Sequence, residues 1–100
     1  MSVRDELQAL KDRSVELPEM GYWDYEWDEF AGFYDPETRM FYWAEGSGCS
    51  CYGLWDEINS IGDMQVGRKE EFLSAASAFS GSRFDSQFQE IRQAVDNLNV

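Results

Sequence analysis

Three carboxylates alternate with aromatic residues in the middle of the chain, and their spacing suggests a binding chemistry. Asp24, Glu26 and Asp28 are separated from each other by single Tyr and Trp residues. Residues two apart on a β-strand lie on one face about 6.6 Å apart, so the three acids would form a regular row of negative charge. Such a row is suited to a basic protein surface, because it resembles the repeating phosphates of a nucleic acid.

The predicted binding surface continues from this row to the turn that follows it. The acids would pair with Lys and Arg of a protein partner, and two Trp would supply an apolar anchor, since Trp is favoured at binding hot spots. The predicted partner-binding residues are Asp24, Glu26, Asp28, Glu29, Asp35, Glu37, Trp23 and Trp27. The alternative is that these acids are only the solvated face of an antiparallel sheet.

The segment around these residues carries nearly all of the net charge. Between Glu16 and Asp63 the only basic residue is Arg39, and this segment holds all but one unit of the chain's net charge of −12. Negative charge of this density repels nucleic acid and anionic membrane surfaces. We therefore expect a basic protein partner, itself of the nucleic-acid-binding kind, and no direct contact with nucleic acid or membrane.

Catalysis and metal binding lack the residues that they need. The chain contains no His, which excludes Ser–His and Cys–His nucleophile pairs. A calcium loop that began at Asp24 would need glycine at its sixth position, where Glu29 stands. Cys49 and Cys51 supply two thiolates where structural zinc needs four ligands, so a zinc site would have to be shared between two chains. We predict no enzymatic activity, no cofactor and no metal.

The two cysteines and the N-terminus indicate a location. If the segment is extended, Cys49 and Cys51 cannot form a disulfide without a turn, so we expect both thiols to be free in a reducing cytoplasm. No apolar run is long enough to span a bilayer, and the sequence MSVRDELQAL has no signal-peptide core. The expected location is the cytoplasm.

Periodicity and turn signals predict the elements that position these residues. Ser2 can cap a first helix of about 2–14. From Tyr22 the apolar period becomes two, which predicts a half-buried strand with aromatic residues inside and carboxylates outside. The sequence Asp35-Pro36-Glu37-Thr38 is typical of a type I turn. Residues 39–44 then form the predicted return strand.

The C-terminal part of the chain predicts two helices. The first covers about 68–79, and the second is amphipathic, with apolar residues at steps of 4, 3, 4 and 3. The apolar stripe of the second helix consists of Phe84, Phe88, Ile91, Val95 and Leu98. The predicted fold is a single α+β domain over 1–100: a small antiparallel sheet of three or four strands across 20–58, an N-terminal helix and two C-terminal helices packed on the sheet.

One segment resembles a known group of sequences. The turn at 34–38, the Tyr-rich stretch after it and the loop Gly48-Cys49-Ser50-Cys51 are similar to a family of small proteins of unknown function from actinobacteria and their phages. In that family a short polar or proline-containing stretch and an acid follow the loop, whereas residues 52–57 here contain no proline. The resemblance implies no established activity, ligand or catalytic residue.

These observations predict a non-enzymatic acidic phage protein that binds and blocks a basic surface of a host protein. It would act as a nucleic-acid mimic, or as an inhibitor in host takeover or against host defence. The alternative is a structural or assembly protein whose acidic face is only solvated, and for which a homodimer is left open. Salt separates the two functions, because it screens a charged interface and leaves an apolar one nearly unchanged.

Overall fold

The computed structural model describes residues 3–49, 53–58 and 60–98, in which a five-stranded antiparallel sheet lies between two layers of helices. In chain order the elements are α1 (Val3–Arg13), β1 (Val15–Glu16), β2 (Met20–Trp23), β3 (Glu26–Asp35), β4 (Met40–Cys49), α2 (Leu54–Glu57), a 3₁₀ helix (Ile61–Asp63), β5 (Gln65–Gly67), α3 (Lys69–Ser80) and α4 (Asp85–Asp96). The α+β fold predicted from the sequence is confirmed.

The sheet is built on the pairing of its two long strands. β3 and β4 pair over ten residues each, from Glu26 opposite Cys49 to Asp35 opposite Met40. β1 and β2 both pair with the other edge of β3, and β5 pairs with residues 41–43 of β4. The sheet therefore extends beyond the predicted limits of 20–58, because β1 and β5 are too short for periodicity to reveal them.

Each face of the sheet carries its own apolar cluster, because side chains alternate along β3 and β4. The face under α3 and α4 buries Leu17, Met20, Phe30, Tyr34, Phe41, Trp43, Phe72, Ala76, Ile91 and Val95. The face under α1 and α2 buries Leu7, Leu10, Trp27, Ala31, Phe33, Ala44, Leu54 and Met64. Gly32 leaves room for α3, since a Cβ there would lie 2.8 Å from Cε1 of Phe72.

The turn between β3 and β4 is held by a buried carboxylate. Arg13 at the end of α1 donates from Nε to both oxygens of Asp35 at 3.2 Å and from Nη2 at 3.0 Å. The backbone N–H of Glu37 and the hydroxyl of Thr38 donate to the same carboxylate at 2.9 and 3.0 Å. Burial by itself would raise the pKa of Asp35, but these hydrogen bonds and the charge of Arg13 hold it below its ordinary value.

The turn is one residue longer than the predicted type I turn. Residues 36–39 form it, and the backbone N–H of Arg39 donates to the carbonyl of Asp35 at 2.8 Å. Arg39 has a positive φ of 60°, which places it in the left-handed region. The carboxylate of Asp35 takes the N–H of Glu37, so a side chain organises the start of the turn.

Replacing this carboxylate should destabilise the fold. We expect Asp35→Asn to lower the free energy of unfolding by roughly 2 kcal/mol at neutral pH, because it removes charge-assisted hydrogen bonds from a buried site. The matched variant Glu37→Gln, which alters only an exposed partner of Arg13, should change stability by less than about 0.5 kcal/mol. Urea unfolding measures both.

The cost of Asp35→Asn should also depend on pH. Because the pKa of Asp35 is lowered in the folded state, its stabilisation is present above its ordinary pKa and is lost as pH falls below about 4. The two proteins should therefore converge in stability on acidification. A difference that stays constant down to low pH would contradict the role given to the charged form.

Candidate functional site

The segment predicted as one acidic strand is a tight hairpin. β2 ends at Trp23, Asp24 and Tyr25 form the turn, and β3 begins at Glu26. Trp23 lies opposite Trp27, and the backbone N–H of Asp24 donates to the carbonyl of Glu26 at 3.0 Å. The single strand predicted across this segment is therefore wrong, and of its row of carboxylates only Glu26 and Asp28 lie two apart on one strand, β3. Side chains alternate between the two faces of the sheet along both strands of a short hairpin. An apolar period of two in the sequence therefore could not distinguish the hairpin from a single strand.

The hairpin presents large aromatic side chains to solvent. We define the hairpin tip as Tyr22, Trp23, Asp24, Tyr25 and Glu26. The exposed fractions of its aromatic residues are 45% for Tyr22, 56% for Trp23 and 85% for Tyr25. Among the described residues, the other exposed large apolar side chains are Val15 and Val66 alone, so the exposed aromatic surface is concentrated at the tip.

Packing beneath the tip orients its aromatic rings. Trp23 stacks on Trp27 with ring centroids 5.8 Å apart and planes 12° apart, and Trp27 is only 1% exposed. Tyr22 stacks on Phe84 at 6.4 Å, and the guanidinium of Arg83 lies 5.6 Å from the ring of Tyr22. The rings of Trp23 and Tyr22 are thus supported from below, and a partner would not have to order these two side chains.

Two contacts fix the position of β2. Gly21 has a φ of +124°, and a Cβ at this position would lie within bonding range of the carbonyl oxygen of Asp28. The side chain of Gln87 on α4 accepts from the N–H of Gly21 at 2.9 Å and donates to its carbonyl at 3.4 Å. The amide of Gln87 therefore occupies the outer edge of β2 as a neighbouring strand would.

The predicted acids occupy several environments. Asp24 and Glu26 are exposed at the tip, whereas Asp28 is half-buried and lies 3.4 Å from Nη1 of Arg83. Asp35 is fully buried at the opposite end of β3, roughly 30 Å away at 3.4 Å per residue. Glu37 is exposed beside that end, with Oε2 3.3 Å from Nε of Arg13.

Glu29 points to the other face of the sheet and forms a carboxyl pair with Glu19. Burial, a hydrogen bond to Glu19 and the charge of Glu19 raise the pKa of Glu29 to about 7. The pair borders a shallow hollow that also contains Gly21, Trp23 and Gln87. Glu29 is therefore a group that gains or loses a proton near neutral pH and not a fixed negative charge.

The predicted site is thus brought together only in part. Of the eight residues, Trp23, Asp24 and Glu26 lie together at the tip with Asp28 beside them. Trp27 and Asp35 are buried, and neither is available to a partner in this structure. The prediction missed Tyr22 and Tyr25. Asp24 was the available signal for a turn in the sequence. The segment between Trp23 and Trp27 has no Gly, Pro or Asn, the residues that most clearly mark a hairpin turn.

Cys49 closes β4 and is disulfide-bonded, so the expectation of a free thiol is wrong for this residue. Cys51, the other cysteine of the chain, lies outside the described residues. In the part of the chain that the structure describes, no three Cys, Asp or Glu side chains are grouped as a metal site would require.

None of the described helices is long and apolar enough to cross a membrane.

The fold and the tip define a small α+β domain that exposes an aromatic and acidic hairpin. Residues 10–99 match the family described as a domain of unknown function, DUF7574, and the chain belongs to this family. No curated protein and no solved structure matches the chain. The resemblance to an uncharacterised family is confirmed in this general form.

The carboxyl pair of Glu19 and Glu29 should make stability depend on pH. The pKa of Glu29 is raised from 4.5 to about 7 in the folded state, so its contribution to stability is complete below its ordinary pKa and is lost as pH rises through about 7. We expect Glu29→Gln, which keeps a neutral side chain at every pH, to match the wild type near pH 4.5 and to be more stable above pH 7.

Thermal unfolding between these pH values measures the effect. Glu90→Gln is the matched control, because it removes one charge from an exposed position in the middle of α4 and reports the general relief of repulsion in an acidic protein. Equal stabilisation by both variants at high pH would show that the carboxyl pair has no specific effect.

Proposed function

We propose that this protein is a non-enzymatic binding module that presents the hairpin tip to a basic surface of another protein. The observation that carries the proposal is the concentration of exposed aromatic side chains at the tip, flanked by Asp24 and Glu26. Trp and Tyr are enriched at hot spots, where a few residues supply most of the binding free energy. Charge around them steers the encounter and selects the partner.

The charges at the tip are available for such a partner. The ion pairs of the described residues join Arg13 to Asp35 and Glu37, and Arg83 to Asp28. Asp24 and Glu26 take part in none of these pairs, and both are exposed. A Lys or Arg of a partner would therefore gain an interaction without breaking one within the chain.

The sequence resemblance suggests where this module acts. Within the proposal, the protein is of actinobacterial or phage origin and meets its partner in the cytoplasm of the host cell. A basic partner of this kind is a nucleic-acid-binding protein whose contact surface the tip would block. The hairpin replaces the regular row of carboxylates. Mimicry of a nucleic acid would therefore depend on the local density of negative charge at the tip and on contacts made by its aromatic side chains.

Substitutions at the tip should weaken capture of the partner. We expect Asp24→Asn with Glu26→Gln to weaken capture and to remove its salt dependence, and Tyr25→Ser with Trp23→Ser to weaken affinity by about tenfold or more. The measurement is quantitative pull-down from an actinobacterial lysate at low and high salt, with and without competing DNA. A partner displaced by DNA and by salt is the expected result.

The control variant is Glu70→Gln with Glu90→Gln, which removes the same charge from exposed positions on α3 and α4. Retention of the partner by this variant and its loss from both tip variants would support the proposal. A partner that both tip variants retain at high salt would overturn it and favour an apolar assembly interface.

A further inference from the structure

One edge of the sheet is open next to a cleft. Among the described residues, β5 covers the outer edge of β4 only at residues 41–43, and no strand pairs with that edge from Ala44 to Gly48. The opposite edge of β4 pairs with β3 along its whole length. β4 therefore offers a strand edge of the kind that can accept another chain.

The register shows which backbone groups point outward. The carbonyl of Gly32 accepts from Leu17 N–H, so the backbone groups of Gly32 point away from β4. In an antiparallel pair the opposing residue, Trp43, must then direct its own groups away from β3 and toward β5. The same direction recurs at every second residue, so Glu45 and Ser47 present N–H and C=O groups at the open edge.

A cleft of about 580 Å³ lies at the beginning of this edge. Its floor includes Ala44 and Glu45 of β4, and Gln65 at the start of β5 closes one end. The walls come from the two helical layers, with Ala75 and Phe79 of α3 on one side and Leu54 and Ile58 on the other. A strand that paired with β4 beyond the end of β5 would therefore lie in this cleft.

The side chains around the edge indicate what kind of strand fits. Glu45 lies on the same face as Asp28 and Glu26, because Ser47 is opposite Asp28 and Cys49 is opposite Glu26. Glu45 and Glu26 are exposed on that face, while Asp28 is paired with Arg83. The other face, at Gly46 and Gly48, carries no side chains from β4 and lies toward Leu54 and Ile58. On the face of Glu45 an added strand would meet this carboxylate beside Ala75 and Phe79, and on the other face it would meet Leu54 and Ile58.

We propose that the open edge of β4 binds an extended peptide segment of a partner protein by strand addition, antiparallel to β4, with basic and apolar residues in alternation. The basic residues lie opposite Glu45 and Ser47 and exchange backbone hydrogen bonds with them, since directly opposed residues share a face. The apolar residue between them points toward Leu54 and Ile58. Backbone hydrogen bonds supply the affinity and the alternation supplies the specificity.

The test uses the labelled peptide Lys-Val-Lys-Val-Lys-Val-Lys and the full-length protein, with fluorescence anisotropy as the measurement. We expect saturable binding that is absent for Glu-Val-Glu-Val-Glu-Val-Glu. N-methylation of every Lys removes the donors that face β4 and should weaken binding by about tenfold or more, whereas N-methylation of every Val should be tolerated. Equal binding of the two methylated peptides would overturn the proposal.

A pair of variants tests the same edge from the protein side. Ser47→Pro removes an outward N–H, which an edge strand tolerates, and Ser47→Ala keeps it. We expect Ser47→Pro to weaken peptide binding by about tenfold and Ser47→Ala to leave it unchanged, with unfolding curves confirming that both are folded. Equal affinity of the two folded variants, or dimerisation through this edge in place of peptide binding, would contradict the proposal.

This site does not depend on the function proposed for the hairpin tip. The tip variant Tyr25→Ser with Trp23→Ser, which leaves the acids beside β4 intact, should retain the affinity for the Lys-Val peptide, and Ser47→Pro should retain capture of the partner that the tip holds. Loss of peptide binding in this tip variant would show that the peptide binds the tip and would overturn strand addition at β4.

Discussion

The pairing of β3 with β4 is the interaction on which the rest of the structure depends. Every other strand pairs with one of these two, and both apolar clusters take their central residues from them. A slip of one residue would exchange the faces of the strand and expose both clusters. The carboxylate of Asp35 resists such a slip, because it joins the end of β3, the turn and Arg13 of α1 through hydrogen bonds.

The same pairing gives the two ends of the sheet different properties. At the end with the turn, the ion pair of Arg13 with the buried Asp35 connects α1 to the sheet, and the same carboxylate accepts from the backbone of the turn. At the other end lie the hairpin tip and the part of β4 that no described strand covers. Exposed aromatic rings and outward backbone groups are therefore concentrated at one end of the molecule, where another protein can reach them.

Tertiary structure also divides the negative charge into separate chemical groups. Asp35 is buried and ionised, and Glu29 shares a hydrogen bond with Glu19 and titrates near neutral pH. Asp28 lies beside Arg83, while Asp24 and Glu26 are exposed. A net charge of −12 therefore overstates the charge that any single surface offers to a partner. The ion pairs of the described residues leave Asp24 and Glu26 at the hairpin tip exposed and outside any pair with Arg13 or Arg83.

The sequence by itself determined the α+β class, the amphipathic stripe of α4 and the turn that begins at Asp35, because these depend on local periodicity and turn chemistry. It also indicated that acids and aromatic residues near 22–28 form a surface. Tertiary structure alone decided that Trp27 is buried while Trp23 and Tyr25 are exposed, and that Asp35 belongs to the interior. Alternation of aromatic and acidic residues is the same in a hairpin and in a single strand, so exposure at 22–28 depends on how β2 pairs with β3. Asp35 belongs to the interior because Arg13 reaches its carboxylate only after α1 packs on the sheet.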